Sequence, residues 1–368
     1  MTESPPSAPR SRTPIRLTLL TGFLGAGKTT VLNRLLSEPS VTDTAVVVNE
    51  FGEVGIDQML VEAEVSDGLI ELSDGCLCCS VRGELVETLE RLAEREREGR
   101  PLARVIVETT GLADPTPILA AIMTHPMLAS AYALDAVVCV VDAVNGETNL
   151  FDQVEAARQL AVADRILLTK SDLVSGNGET LRSAIRNVNG HADIVVSGEA
   201  ATLAEHILDC GLSKMDGTLG DPADWLGHDH AGEPHHHHSH HRHGSVRSMA
   251  LVHDAPIPEH AVFAFLEMLG SFEGGKILRM KGVVLTQEYP DRPLVLHGVR
   301  GYLHPPARLP AWRKDATRQS RLVIIGDHLN EDRVRDLFAA FAGEARTDAP
   351  DRAAIEDNPL AVPGMRFS

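Results

Sequence analysis

The chain has 368 residues, 43% of them apolar and 23% charged, which is typical of a folded protein with about two domains. Acidic residues outnumber basic ones 52 to 34, and the net charge of −18 disfavours nucleic acid and anionic membranes as partners. No stretch approaches the roughly 18 apolar residues of a spanning helix, and the first residues contain no apolar signal segment, so we expect a cytoplasmic protein. The composition is compatible with either a monomer or an oligomer.

Apolar runs that alternate with helix-length segments begin the folded part of the chain. The runs that we expect to form strands are rich in Val, Ile and Leu and lie at 15–22, 44–50, 104–110, 134–143 and 164–172. Such continuous apolar strands predict an α/β fold with a doubly wound, mostly parallel sheet, in which functional sites lie at the carboxyl ends of the strands. Beyond residue 246, strand and helix patterns of a smaller α+β domain follow.

The first motif, "GFLGAGKT" at 22–29, fits the phosphate-binding loop pattern and lies between a predicted strand and a predicted helix. Glycines allow backbone N–H groups to turn toward phosphate oxygens, and the start of the helix adds positive potential. We expect Lys28 to contact the β- and γ-phosphates and Thr29 to bind Mg²⁺. The nucleotide-binding residues predicted here are Gly22, Gly25, Ala26, Gly27, Lys28, Thr29 and Thr30.

Three of the five cysteines, Cys76, Cys78 and Cys79, lie in the stretch "DGCLCCS". Thiolates at this spacing can contact one ion only from an irregular loop, and sulfur ligands suit Zn²⁺, Cu(I) or Co²⁺ better than Mg²⁺. The fourth ligand can be a carboxylate, a histidine, water or a group on another protein. The alternative is a reduced loop without metal. Cys139 and Cys210 are expected to be packing residues.

Two further motifs follow predicted strands. Glu108 ends the strand in "RVIVETTGLADP", where a carboxylate can act on Mg²⁺, and Gly111 can offer its N–H to the γ-phosphate. "TKSD" at 169–172 has the position of a guanine-reading element, in which Asp172 accepts from the base and the Lys170 stem covers it. Together with the phosphate loop, these motifs favour GTP over ATP.

A histidine-rich tract separates the two predicted domains. Clustered imidazoles can capture Zn²⁺, Ni²⁺ or Co²⁺ in several arrangements, although the alternative is a plain spacer. Four isolated histidines, His125, His191, His206 and His260, are expected to be ordinary surface or helix residues. The candidate metal ligands of the tract are His228, His230, His235, His236, His237, His238, His240, His241 and His243.

These motifs together resemble the CobW-like P-loop GTPases, a family that includes zinc metallochaperones, cobalamin-pathway proteins and nitrile hydratase activators. The resemblance runs from Ile15 to about Gly343 and includes "VVVNEFGEVGID", "VVDAVNG" and "LRMKGVV". It implies that the Cys loop holds a transferred metal and that Glu50 and Glu53 belong to a switch segment that contacts metal or magnesium. Thr169 stands where many relatives have Asn, so base selectivity depends more on Lys170 and Asp172.

The resemblance implies a slow GTPase, with Lys28, Thr29 and Glu108 as its catalytic residues, that binds Zn²⁺ or Co²⁺ in a GTP-dependent way and delivers it to a client metalloprotein. The alternatives are a metal-buffering or storage protein regulated by nucleotide, and a GTPase assembly factor. The expected division of the chain is a disordered N-terminus at 1–13, a P-loop GTPase domain at 14–210, a His-rich linker at 211–246, a CobW-like C-terminal α+β domain at 247–343 and a loose tail at 344–368.

Overall fold

The first of two sheets in the computed structural model of the chain carries the phosphate-binding motif. The structure describes residues 13–49, 69–71, 80–174, 178–212, 222–227, 246–312 and 317–343. Seven strands pair side by side in the order β3-β2-β4-β1-β5-β6-β7, and every pair is parallel. The strands are β1 (Ile15–Thr21), β2 (Thr44–Asn49), β3 (Leu69–Glu71), β4 (Arg104–Thr109), β5 (Tyr132–Asp142), β6 (Arg165–Thr169) and β7 (Asp193–Val196).

Helices cover both faces of this parallel sheet. All seven residues of β1 and all six of β4 are buried, as expected for apolar strands that pack on both sides. The predicted doubly wound α/β fold is therefore confirmed. The helices of this part are α1 (Lys28–Leu36), α2 (Ser80–Arg97), α3 (Thr116–Thr124), α4 (Pro126–Ala131), α5 (Gly146–Asp152), α6 (Val154–Ala161), α7 (Glu179–Val188), α8 (Ala204–Ile207) and α9 (Pro222–Leu226).

The second sheet is antiparallel and belongs to the C-terminal part of the chain. Its order is β11-β10-β9-β13-β8, and β12 also pairs with β10. The predicted smaller α+β unit is thus confirmed as well. Its elements are β8 (Val246–His253), α10 (Glu259–Glu273), β9 (Ile277–Val284), β10 (Leu294–Val299), β11 (Tyr302–Leu303), β12 (Ala307–Arg308), β13 (Ser320–Asp327) and α11 (Glu331–Ala342).

The antiparallel sheet is covered on both faces. Helices α10 and α11 cover one face, where the rings of Phe265 and Phe338 meet edge to face with centroids 5.3 Å apart. The other face packs on α3, α6, α7 and α9 of the N-terminal part. Leu278, Val323 and Ile325 join the same buried apolar cluster as β1 and β4 residues. One buried apolar cluster therefore extends across both domains.

No helix in the described part of the chain has the length and apolar character that crossing a bilayer requires.

Candidate nucleotide site

The phosphate-binding loop connects β1 to α1 at the carboxyl edge of the parallel sheet. Gly22 has φ 147°, and a Cβ at this position would lie 2.3 Å from the carbonyl oxygen of Val140. Only glycine fits there. Gly27, with φ 92°, immediately precedes the first helical residue, Lys28. The loop therefore leads directly into the amino end of a nine-residue helix, where free N–H groups and the helix dipole favour an anion.

Lys28, at the end of the loop, makes a hydrogen bond to Gly22 at its beginning. Its Nζ donates to the carbonyl oxygen of Gly22 at 3.0 Å. The ammonium thus lies inside the loop, where it can reach a phosphate with a small movement of its flexible stem. Thr30, the other predicted loop residue downstream, is exposed in the first turn of α1.

A hydroxyl group and a carboxylate group lie in contact beside the loop. The Thr29 hydroxyl donates to Glu108 Oε1 at 3.1 Å, and Glu108 is only 6% exposed at the end of β4. A hydroxyl and a carboxylate are hard oxygen ligands of the type that Mg²⁺ prefers. The pair therefore fits a magnesium ion, either directly or through its waters.

The "TKSD" segment lies directly beside the phosphate loop. The Thr169 hydroxyl donates to the carbonyl oxygen of Ala26 at 2.7 Å, and Lys170 Nζ donates to that of Gly25 at 2.8 Å. Lys170 has φ 55°, and Asp172 is exposed on a short 3₁₀ helix, Ser171–Leu173. Thr169 and Lys170 thus fasten the end of β6 to the loop and leave Asp172 open toward the space above it.

Asp142 is a site residue that sequence reasoning missed. Its Oδ2 accepts from Lys170 Nζ at 2.7 Å and from Asn145 Nδ2 at 3.0 Å, and its Oδ1 accepts from the Val144 N–H at 2.7 Å. Although partial burial opposes ionisation, these bonds and the Lys170 charge hold the pKa of Asp142 below its ordinary value. The position of Asp142 at the carboxyl end of β5 was the available signal.

A second set of missed residues, on α1 and just after it, makes hydrogen bonds to the segment after β7. Arg34 donates through Nη1 to the carbonyl oxygen of Ser197 and through Nη2 to that of Ala200, both at 2.6 Å. Glu38 accepts from the Leu203 N–H at 2.6 Å. This segment lies beside the end of β6, so the helix of the phosphate loop also positions the chain near the expected base site. No sequence pattern indicates these contacts.

Several predicted metal ligands lie outside the described residues. Among the residues that the structure does describe, no group of three or more His, Cys, Asp and Glu side chains is arranged to hold a metal ion. The predicted ligands outside the described ranges are Glu50, Glu53, Cys76, Cys78, Cys79 and the nine histidines of the tract between 228 and 243.

Cys139, Cys210 and His191 lie within the described residues and outside the predicted metal ligands. Cys139 is buried in β5, and burial raises the pKa of its thiol to about 12; burial likewise raises the pKa of Cys210 to about 11. Protonated thiols of this kind are poor metal ligands. The prediction that His191 is a surface or helix residue is wrong: it is 7% exposed, in the turn before β7, where Gly227 at the end of α9 packs against it.

The fold and this site define a P-loop GTPase: a parallel sheet, a glycine loop at its carboxyl edge, a Thr29–Glu108 pair and a base-side segment joined to the loop. Residues 16–196 match the CobW/HypB/UreG nucleotide-binding domain, and residues 246–342 match the cobalamin synthesis protein cobW C-terminal domain. The chain belongs to the CobW family.

Relatives and solved structures agree with this assignment. The chain is 34% identical to zinc chaperone YjiA of Escherichia coli over 90% of its own length and 98% of that protein. It is 32% identical to zinc chaperone CobW of a Sinorhizobium species over 89% and 97%. The crystal structure of Zn(II)-bound YjiA GTPase superposes with a TM-score of 0.66 at 29% identity and covers 90% of this chain and 99% of YjiA.

Proposed function

We propose that this protein is a GTP-hydrolysing metallochaperone. It binds Zn²⁺, with Co²⁺ as the alternative cargo, at Cys76, Cys78 and Cys79 in a GTP-dependent way and delivers the ion to a client metalloprotein. The similarity over 90% of the chain to a protein named zinc chaperone supports this proposal. Three thiolates in four positions suit an ion of this type.

Nucleotide binding and hydrolysis fall to residues around the phosphate loop. Lys28 neutralises the terminal phosphates, Gly111 offers its N–H to the γ-phosphate, and Asp172 accepts from guanine. Because the Thr169 hydroxyl hydrogen is already donated to Ala26, Thr169 positions the loop and does not donate to the base. Thr29 and Glu108 would hold Mg²⁺, which would help to neutralise the charge of the phosphates.

The observation that carries GTP-dependent metal binding is the packing of α2 on α3. Helix α2 begins at Ser80, directly after Cys79, and α3 begins at Thr116, directly after the segment that contains Gly111. The two helices contact one another, and α2 also contacts α4. A γ-phosphate that orders the Gly111 segment therefore acts on a helix that touches the helix starting at the thiols, which supports coupling between the two sites.

Metal affinity measured in three nucleotide states tests the proposal. Competition against a chromophoric zinc chelator should show binding about 5- to 150-fold tighter with a non-hydrolysable GTP analogue than with GDP, the usual range of coupling between two sites. Replacing all three cysteines with Ser should abolish this site and leave GTP binding intact. Lys28→Ala should remove the nucleotide effect together with nucleotide binding. Equal metal affinity in all three nucleotide states would reject GTP-dependent metal binding.

The same titration separates the alternatives. A buffering protein binds several ions independently of GTP, whereas an assembly factor binds none at the thiols. Deleting residues 228–243 should lower the number of bound ions and leave the tight site and GTP hydrolysis nearly unchanged. Loss of the tight site on deletion would mean that histidines of the tract complete it. A protein captured from zinc-limited cells by the GTP-bound form would identify the client.

A further inference from the structure

The segment between β4 and α3, residues 110–115, lies directly against the phosphate loop. A Cβ at Gly111 would come within 2.6 Å of the Leu24 side chain and 2.7 Å of the Leu24 backbone nitrogen. There is no room between the two segments at this point. A small displacement of the 110–115 segment therefore changes where the Gly111 N–H points relative to a bound phosphate.

Gln159 of α6 holds this segment from within the GTPase domain. Its side chain is fully buried, and Nε2 donates to the carbonyl oxygens of Gly111 and Ala113, both at 3.0 Å. Its Oε1 is buried without a hydrogen-bond partner among the residues that the structure describes. A buried amide with an unpaired oxygen costs stability, so its retention here fits a role in holding the segment.

Arg300 holds the same segment from the C-terminal domain. It lies in the turn between β10 and β11, where it has φ 51°. Its Nη2 donates to Asp114 Oδ2 at 2.7 Å and its Nε to the Thr116 hydroxyl at 2.6 Å. Because a non-glycine residue at positive φ is strained, the surrounding contacts must stabilise this turn.

Asp114 links this contact to the start of α3. Its Oδ1 accepts from the Thr116 N–H at 2.9 Å and from the Thr116 hydroxyl at 2.6 Å. The guanidinium of Arg300 therefore contacts both partners of the hydrogen bonds between Asp114 and Thr116 at the start of the helix, in a charge-assisted, two-point geometry. One arginine of the C-terminal domain thus fixes the end of the segment whose beginning touches the phosphate loop.

We propose that Arg300 is a positioning residue for GTP hydrolysis, supplied by the C-terminal domain to the segment at the γ-phosphate. It keeps residues 110–116 pressed against the phosphate loop and so aligns the Gly111 N–H. This inference rests on the proposed role of Gly111 and is independent of metal transfer. The hydrogen bonds of Arg300 go to Asp114 and Thr116 and not to the phosphate loop, so we expect its loss to slow hydrolysis and to leave nucleotide binding unchanged.

Turnover of GTP by the full-length protein tests this proposal. Arg300→Ala should lower kcat about tenfold, the order expected for loss of a charged hydrogen bond that aligns a reacting group, and leave KM within about twofold. Arg300→Lys should restore part of the rate, because its ammonium can still pair with Asp114. The matched control is Arg318→Ala, which removes an exposed ion pair with Asp291 in the same domain and should leave kcat unchanged.

Three results would overturn the proposal: wild-type kcat in Arg300→Ala, an equal loss in Arg318→Ala, or a change confined to KM. Should Arg300→Ala not fold, Asp114→Asn gives the same test, since it keeps the Oδ1 acceptor of α3 and removes the charge. The variant Gly111→Ala distinguishes the proposed role of Arg300 from the proposed role of Gly111 on which it rests. Normal hydrolysis by Gly111→Ala would reject the role of Gly111 itself, whereas an inactive Gly111→Ala beside a fully active Arg300→Ala would reject only the role of Arg300.

Discussion

Two of the ionic contacts between the domains, among the residues that the structure describes, differ in character. In the first, Asp164, just before β6, pairs with Arg279 at 2.8 Å and with Lys281, and all three side chains are less than 10% exposed. In the second, Asp114 pairs with Arg300 at 2.7 Å, but the arginine side chain is 42% exposed. The first contact is removed from the nucleotide, and the second lies on the segment beside it.

We expect the buried contact to anchor the domains and the exposed contact to separate more easily. Asp164 also accepts from the Val137 N–H at 2.7 Å, and Lys281 donates to the Trp225 carbonyl oxygen at 2.8 Å. Although burial alone would raise the pKa of Asp164, the charges of Arg279 and Lys281 hold it well below its ordinary range. Breaking such a cluster leaves buried charge, whereas the Asp114–Arg300 pair can separate into water at little cost.

The largest effect is expected for Asp164→Asn, which leaves Arg279 and Lys281 buried beside a neutral side chain. The free energy of unfolding should fall by about 3–5 kcal/mol, the usual cost of an uncompensated buried charge. Urea denaturation of the full-length protein measures it. Asp291→Asn, at an exposed pair, is the control and should change stability by less than about 1 kcal/mol. A loss no larger than that of the control would contradict the anchoring role.

Acid should weaken the same interface through His297. This residue of β10 lies edge to face with Trp225 at a centroid distance of 6.0 Å, and burial together with the charges of Arg279 and Lys281 lowers its pKa well below 6.5. Below pH 6.5 the unfolded chain binds a proton that the folded chain does not. Stability should therefore fall by about 1.4 kcal/mol per pH unit until the folded pKa is reached.

The variant His297→Gln should flatten this pH dependence between pH 6.5 and 5, as measured by urea unfolding at each pH. His260→Gln, at an exposed position of α10, should leave the dependence unchanged. If His297→Gln kept the full slope, another group would have to carry it.

Asp114→Asn should lower GTP turnover with little loss of stability, whereas Asp164→Asn should mainly lower stability. Because its partner is partly exposed, the free energy of unfolding should change by less than about 1 kcal/mol. GTP turnover should nevertheless drop, as for Arg300→Ala. Parallel measurement of denaturation and turnover on the two Asp variants gives the comparison directly. A stability loss as large as that of Asp164→Asn would show that the two contacts do not differ in kind.

The smallest effect is expected for Arg158→Ala. Arg158 lies between the two domains, 3.7 Å from Asp114 and 3.6 Å from Asp327, beyond hydrogen-bonding distance of both. A long, partly exposed pair of this type contributes at most about 0.5 kcal/mol and is screened by salt. Thermal unfolding should show a small shift at low ionic strength that disappears at high salt. A shift that persisted in salt would place Arg158 with the anchoring cluster.

Contiguous patterns determined much of this protein. The phosphate loop could be predicted because its glycines, Lys28 and Thr29 act within eight residues, where local backbone conformation alone positions them. The strands followed from their apolar runs, since a strand covered on both faces needs no polar alternation. The carboxyl-edge rule placed Glu108 and "TKSD" on the side of the sheet where the loop lies.

Only the tertiary structure decided which distant groups meet. Arg300 and Asp114 are 186 positions apart, and Gln159 and Gly111 are 48 apart. His191 is buried against Gly227 at the end of α9, which no local pattern indicates. Helical and strand periodicity reports which face of an element is buried, but not what buries it. The partner of a charged side chain is set by how two finished domains pack, so the contact between the C-terminal domain and the nucleotide segment depends on tertiary packing alone.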